Sequence, residues 1–443
     1  MNMENPIERL NSWMRNSVML KLITIMILTL LLLIPASMIE STIREREGLN
    51  MEAIEEVSSI WARQQQVNGP ILAIPVIYEY KEEEKIKTLT KHLFILPENL
   101  VVEGSISPEK LHRGIYEIVV YKSSMNIGGS FRLDQEIDQT NLKEIQFGKA
   151  FLTIGISDMR GIKNDIDFRW GGKQLGVEPG SRISHMIHSG VTINVPDLTP
   201  QMGSEVDFTF ELDLHGSQNL SFVPIGSKTD VKIESEWSSP SFNGNFLPAT
   251  REVTDEGFNA YWSILELNRN YPQSWVGPDQ SHVLESSAFG VDLLLPLDDY
   301  QKSMRSAKYA IMTIALTFLM FFLVEIITKR KIHPFQYILV GLALCLFYIL
   351  LVSISEQLNF NLAYLISMLA IVSMIVLYSL SMFKKQILSM VLVAVLLGIY
   401  GFLFVTLQLA DYALLMGSVG LTLILAATMY FTRNIDWYRL NRE

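Results

Sequence analysis

With Cys345 as its single cysteine, this chain cannot close an internal disulfide, and that residue lies in an apolar stretch where it reads as a small hydrophobe. Catalytic signatures are missing too. No G-x-x-x-x-G-K-[ST], H-E-x-x-H, C-x-x-C or G-x-S-x-G occurs, which removes the phosphate loop, the zinc helix, the dithiol and the nucleophile elbow as starting points. Basic residues are outnumbered, 36 Lys and Arg against 46 Asp and Glu. Nucleic acid is therefore not an expected partner, because its phosphates need a basic surface. Charge is also unevenly spread. Residues 40–306 hold 39 acidic and 24 basic residues, leaving 7 acidic and 12 basic for the two ends.

Those ends are apolar instead. A bilayer core needs about 20 apolar residues in a helix, and six stretches approach that length: 20–39, 309–327, 337–354, 360–380, 387–407 and 414–431. Lys21 and Glu325 fall near stretch ends, where a charged side chain can snorkel to the interface. The first stretch runs past Pro35 with no A-x-A site, so it reads as an uncleaved anchor after a cytoplasmic segment 1–19. Lys329, Arg330, Lys331, Lys384, Lys385, Arg433, Arg439 and Arg442 fall in alternate loops and the tail, whereas 355–359 and 408–413 contain no Lys or Arg. By the positive-inside rule both termini are cytoplasmic and residues 40–306 lie outside. Lys302, Arg305 and Lys308 stand on the outer side against that rule. Their three-residue spacing groups them near one helical face, where lipid phosphates could pair with them.

The middle changes period. Ile43, Ile54, Val57, Ile60 and Trp61 recur at helical spacing within a helical stem expected over 41–66, ended by Asn68-Gly69-Pro70. Beyond residue 71 the period is two. Val206 to Leu214 alternates apolar and polar residues almost perfectly, and 115–121, 151–156, 191–195 and 231–234 are similar. The expected fold is a membrane α-helical bundle (307–443, with the first helix) plus an all-β, sandwich-like, antiparallel extracytoplasmic domain.

Chemistry is sparse. His185 and His188 lack an acidic or cysteine partner nearby, so no metal or cofactor is expected. Asp158 and Arg160 read as a turn with a local ion pair, and a catalytic carboxylate there has no support. Trp237, Trp262 and Trp275 read as core. Near the apolar stretches, Glu325, Glu356, Gln408 and Asp411 are the acidic or amide groups, and such groups are functional candidates by default.

Specific runs carry a family resemblance. They include Arg113-Gly114-Ile115-Tyr116-Glu117, Gly155-Ile156-Ser157-Asp158-Met159-Arg160-Gly161, and Leu214-His215-Gly216-Ser217 continued by Leu220-Ser221-Phe222-Val223-Pro224-Ile225-Gly226. Phe246-Leu247-Pro248 and Pro272-Gln273-Ser274-Trp275 follow. The densest run goes from Asp299-Tyr300-Gln301-Lys302-Ser303 through His333-Pro334-Phe335-Gln336-Tyr337 and Leu342-Ala343-Leu344-Cys345-Leu346-Phe347-Tyr348 to Ser355-Glu356. Together they resemble the CreD family of bacterial inner-membrane proteins, the cell envelope integrity proteins. The resemblance implies envelope maintenance under a two-component regulator, with ties to colicin tolerance and β-lactam responses. It supplies no catalytic residue. Two function classes follow: a non-enzymatic inner-membrane protein binding an envelope protein, lipid or peptidoglycan through a periplasmic domain, or a transporter or flippase-like protein for a lipid or wall precursor. Membrane lipids are partners under either.

Overall fold

Along the strand Glu205–Ser217, Val206, Phe208, Phe210, Leu212 and Leu214 are buried, while Glu205, Asp207, Thr209 and Glu211 between them are exposed. One face meets a core and the other meets water, as the alternation dictates. Each buried side chain of this kind contributes about 1.5–3 kcal/mol. This strand belongs to a computed structural model that describes residues 18–82, 85–133, 140–277, 280–293, 298–328, 332–383, 386–409 and 413–433. The chain divides into two compact units, Asn50–Pro296 and Met1–Leu49 with Leu297–Glu443.

Among the described residues, the first unit is built on two sheets. The eight-stranded sheet runs in the order Thr250–Thr254, Gly257–Leu265, Lys228–Ser235, Asn99–Arg113, Tyr116–Arg132, Glu205–Ser217, Phe168–Trp170 and Lys173–Leu175. The ten-stranded sheet centres on Gln65–Glu82, which pairs with Asn219–Phe222, Phe151–Ile156, Lys85–Ile95 and Leu142–Ile145. Most ladders are antiparallel. Two are parallel: Gln65 to Val67 against Leu220 to Phe222, and Lys228–Ser235 against Asn99 to Ile106. Parallel neighbours need long connections, and here the connections themselves contribute the intervening strands.

The sheets share one core. Trp262 lies 5.6 Å from Phe289 and 5.8 Å from Phe242, ring centre to ring centre, across the layers. Trp262 is buried, and Trp237 and Trp275 pack against the core partly exposed. The strand Phe151–Ile156 is buried along its whole length, on both faces.

The stem differs from the sequence reading. The helix Leu33–Trp61 ends before residue 66, and the strand Gln65–Glu82 runs through Asn68-Gly69-Pro70. Those residues break the ladder's register, which shifts between Asn68 and Ile71, and not the helix. Proline is tolerated there because an irregular ladder does not require its missing N–H. Within this unit Ala53, Ile54, Val57 and Trp61 pack on Ile118, Val120, Leu111 and Tyr116, which cover the helix's apolar stripe.

The second unit is helical: Val18–Leu31, the start of Leu33–Trp61, Asp298–Lys308, Ala310–Thr328, Pro334–Ser355, Phe360–Phe383, Gln386–Gln408 and Ala413–Thr432. Among the described residues, four helices are long and apolar enough to cross a membrane, and five if Tyr300–Lys308 with Ala310–Ile326, bent by 43°, counts as one. Leu415–Tyr430 is a shorter apolar helix. His333 caps the helix Pro334–Ser355: its Nδ1 accepts from the Phe335 N–H at 3.2 Å, and the Gln336 side chain accepts from the His333 N–H at 3.0 Å. Proline sits at the first turn, where its lost N–H costs nothing. Gly341 lets three helices approach closely, since a Cβ there would stand 2.2 Å from Leu32 Cδ1 and 2.9 Å from Phe318 Cζ.

Candidate functional site

Asp158 follows the buried strand Phe151–Ile156 and caps the tight turn Met159–Gly161, accepting from the Arg160 N–H at 3.1 Å. Three further donors converge on its carboxylate: Arg160 Nε at 2.9 Å, Arg160 Nη2 at 2.7 Å and the Arg63 N–H at 2.9 Å. The Arg160 guanidinium, helped by the Arg63 N–H and opposed by partial burial, lowers the Asp158 pKa to about 2. Arg160 also donates through Nη1 to the Ser59 carbonyl in the last turn of the helix. That carbonyl lacks an intrahelical partner, and a cation suits the negative end of the helix. Sequence reading paired Asp158 with Arg160, and the structure does the same, adding Arg63 and Ser59.

Gln65 is the hub of this clasp and carried no sequence signal: the run of three glutamines fell inside the helical stem expected over 41–66. It is 0% exposed. Its Nε2 donates to the carbonyls of Asp158 and His215, both at 2.9 Å, and its Oε1 accepts from the Asp158 N–H at 3.2 Å. Gly161 has to be glycine here, because a Cβ would stand 2.2 Å from Gln65 Nε2 and 2.4 Å from the His215 carbonyl. Trp61 stacks on His215 at 4.6 Å. Burial, with Lys163 and Lys122 nearby, lowers the His215 pKa below its ordinary value. The segments around Asp158 and His215 are two of those that carry the family resemblance. Their chemistry here is positioning: the Asp158 carboxylate is taken up by fixed donors.

In the helical unit, Glu325 and Lys21 do not reach separately for the interface, as the sequence suggested. Lys21 Nζ lies 2.5 Å from Glu325 Oε1, whose side chain is 5% exposed. The same oxygen accepts from the Ile332 N–H at 3.1 Å, and Oε2 accepts from the Tyr337 hydroxyl at 3.3 Å. Both oxygens of this buried carboxylate are thus hydrogen-bonded, as a charge taken out of water requires. A cavity of about 410 Å³ adjoins the pair. Glu356 meets Arg46 at 3.7 Å and the Tyr300 hydroxyl at 3.3 Å. Neither partner was legible, because both lie far off in sequence.

Lys302, Arg305 and Lys308 do share the helix Asp298–Lys308. Lys302 and Arg305 are half-buried and Lys308 is exposed, and Lys302 Nζ stands 5.7 Å from the centre of the Phe360 ring. Gln408 donates to Asn361 at 2.6 Å. Asp411 lies outside the described residues, as do Lys329, Arg330, Lys331, Lys384, Lys385, Arg439 and Arg442. Among the described residues no group of three or more His, Cys, Asp or Glu is placed to hold a metal ion.

A family model described as "Inner membrane protein CreD" matches residues 17–438. The Inner membrane protein CreD of Escherichia coli strain K12 is 36% identical over 413 residues, covering 92% of this chain and 91% of its own length.

Proposed function

Because the chain belongs to the CreD family, we propose that it is a multi-pass protein of the bacterial inner membrane whose β unit lies in the periplasm and supports envelope integrity by binding an envelope component. The Lys and Arg distribution supports this orientation: eight in the alternate loops and tail, none in 355–359 and 408–413. The observation that carries the binding reading is the meeting of family-like segments at Gln65. Asp158 and His215 are far apart in sequence, yet both are held by that one side chain. The effort of the sequence thus goes into shaping the β unit. Transport is less supported, since Glu325 and Glu356 are committed to partners inside the helical unit. The reading involves no catalysis.

A phosphatase reporter fused at Gly180 should be active and one fused after Lys385 inactive; the reverse pattern would refute the orientation. Photocrosslinking from the β unit in intact envelopes tests the binding. Recovery of one envelope component, lost together with detergent tolerance in a deletion strain, is the expected result. A deletion strain with unchanged tolerance of detergent and β-lactam would sink the envelope role.

A further inference from the structure

Three apolar helices of the helical unit meet at one end. Lys21 lies in the first turn of Val18–Leu31, Glu325 in the last turn of Ala310–Thr328, and His333 caps the start of Pro334–Ser355. In the orientation proposed above, all three ends are cytoplasmic. The cavity of about 410 Å³ lies there. Its volume is within the roughly 300–1,000 Å³ of small-molecule sites, and like them it combines apolar walls with a few polar groups. Lys21, Glu325 and His333 are polar groups of the lining, and Leu20, Ile25 and Leu28 are apolar ones. Ile25 and Leu28 stand one and two helical turns beyond Lys21 on the same face, farther into the apolar stretch.

The polar groups are not equally open. Glu325 has a side chain 5% exposed, and both its oxygens hold partners. The Lys21 side chain is 30% exposed, so a ligand can reach it. An ammonium has three N–H donors, and among the described residues it makes one hydrogen bond, to Glu325. His333 Nδ1 accepts from the Phe335 N–H, which leaves the ring hydrogen on Nε2 as a donor. The helix start beside it is already capped, so the donors left over belong to side chains.

We infer that this cavity seats one phospholipid, with its phosphate on Lys21 and His333 and an acyl chain along Ile25 and Leu28. Two spare donors, one of them cationic, beside a carboxylate with no open lone pair select an oxyanion. An acyl chain gains by covering the apolar wall and a free phosphate does not, which makes the lipid the source. Basic pockets between spanning helices at the cytoplasmic face suit anionic headgroups. The inference concerns the helical unit alone and is independent of what the β unit binds. It rests on these helices crossing a membrane.

The test is native mass spectrometry of the delipidated full chain in detergent, titrated with dioleoylphosphatidylglycerol, dioleoylglycerol and glycerol 3-phosphate. One equivalent of the phospholipid should be retained, about tenfold or more tighter than either of the others. Lys21→Gln keeps a donor for Glu325 and should weaken that retention about tenfold. Thr24→Trp separates binding from folding. Thr24 lines the cavity, and its hydroxyl donates within its own helix, to the Leu20 carbonyl at 2.8 Å. Filling the cavity should abolish retention of the first equivalent while the lipid-free thermal midpoint holds or rises. If that midpoint falls, Lys21→Gln decides alone. Equal retention of dioleoylglycerol removes the phosphate, equal binding of glycerol 3-phosphate removes the lipid, and a variant that retains phospholipid as the parent does places it elsewhere. Each of these overturns the inference, as does a parent chain that retains no equivalent. Reversed reporter fusions would move the site to the other leaflet and leave binding in detergent unchanged.

Discussion

Asp158 finds its arginine two residues away, whereas Glu325 finds its lysine 304 residues away. The first pair sits in the β unit, with Arg160 half exposed to water; the second joins the first apolar helix to a later one, with Glu325 almost fully enclosed. Water reaches Arg160 at the first site, whereas at the second Glu325 is nearly shut off from it. The clasp is therefore a local staple, and the Lys21–Glu325 pair is a commitment between distant parts of the chain.

The largest expected effect breaks the enclosed pair. Lys21→Ala leaves Glu325 with only the Ile332 N–H and the Tyr337 hydroxyl. A broken buried pair costs about 3–5 kcal/mol. The low end applies because Lys21 is 30% exposed. The thermal midpoint of the chain in detergent should drop sharply, and Lys21→Ala with Glu325→Ala should recover part of the loss. A double variant worse than either single one would contradict the pairing.

Asp158→Ala removes the cap and the anchor for Arg63 and Arg160 at once. A loss of about 1–3 kcal/mol is expected, read as a lower denaturant midpoint for the β unit's circular dichroism. Equal losses for Asp158→Ala and Lys21→Ala would erase the distinction between the two sites.

Acid sharpens it further. Asp158 titrates at about 2 when folded, below its value of about 3.9 in an unfolded chain. Its folded pKa is depressed, so its contribution is complete above about pH 4 and fades as pH falls toward 2. Asp158→Asn should flatten the acid limb of a stability profile over that window and leave the profile near pH 7 parallel to the parent's. An unchanged acid limb would remove the charge from the argument.

The smallest effect belongs to Lys302, Arg305 and Lys308. Exposed or half-exposed charges are worth about 1 kcal/mol or less apiece near an anionic surface. Replacing all three by Gln should leave the folding stability within about 0.5 kcal/mol of the parent and reduce co-sedimentation with anionic vesicles modestly. A variant that also keeps full vesicle binding would show that this face does not meet lipid.

What the sequence disclosed follows the same division between near and far. Alternation in Glu205–Ser217 and the apolar runs are local signals: the first led to the observed strand, and of the six runs expected to span, four fall in helices long enough to cross, a fifth in a bent pair and 414–431 on a shorter apolar helix among the described residues. Asn68-Gly69-Pro70 misled because a breaker signal says that a regular ladder is interrupted and not which element it interrupts. Gln65, Arg46 and Tyr300 gave no signal because their roles exist only once segments far apart in sequence meet.

The separation of Lys21 from Glu325 also orders events in time. A ribosome adding about 5–20 residues each second needs about 15–60 s to travel the 304 positions between them. Throughout that interval the first helix stands in the membrane with its lysine unmatched, held only by its own apolar length. A chain released anywhere before residue 325 therefore carries Lys21 without its Glu325 partner.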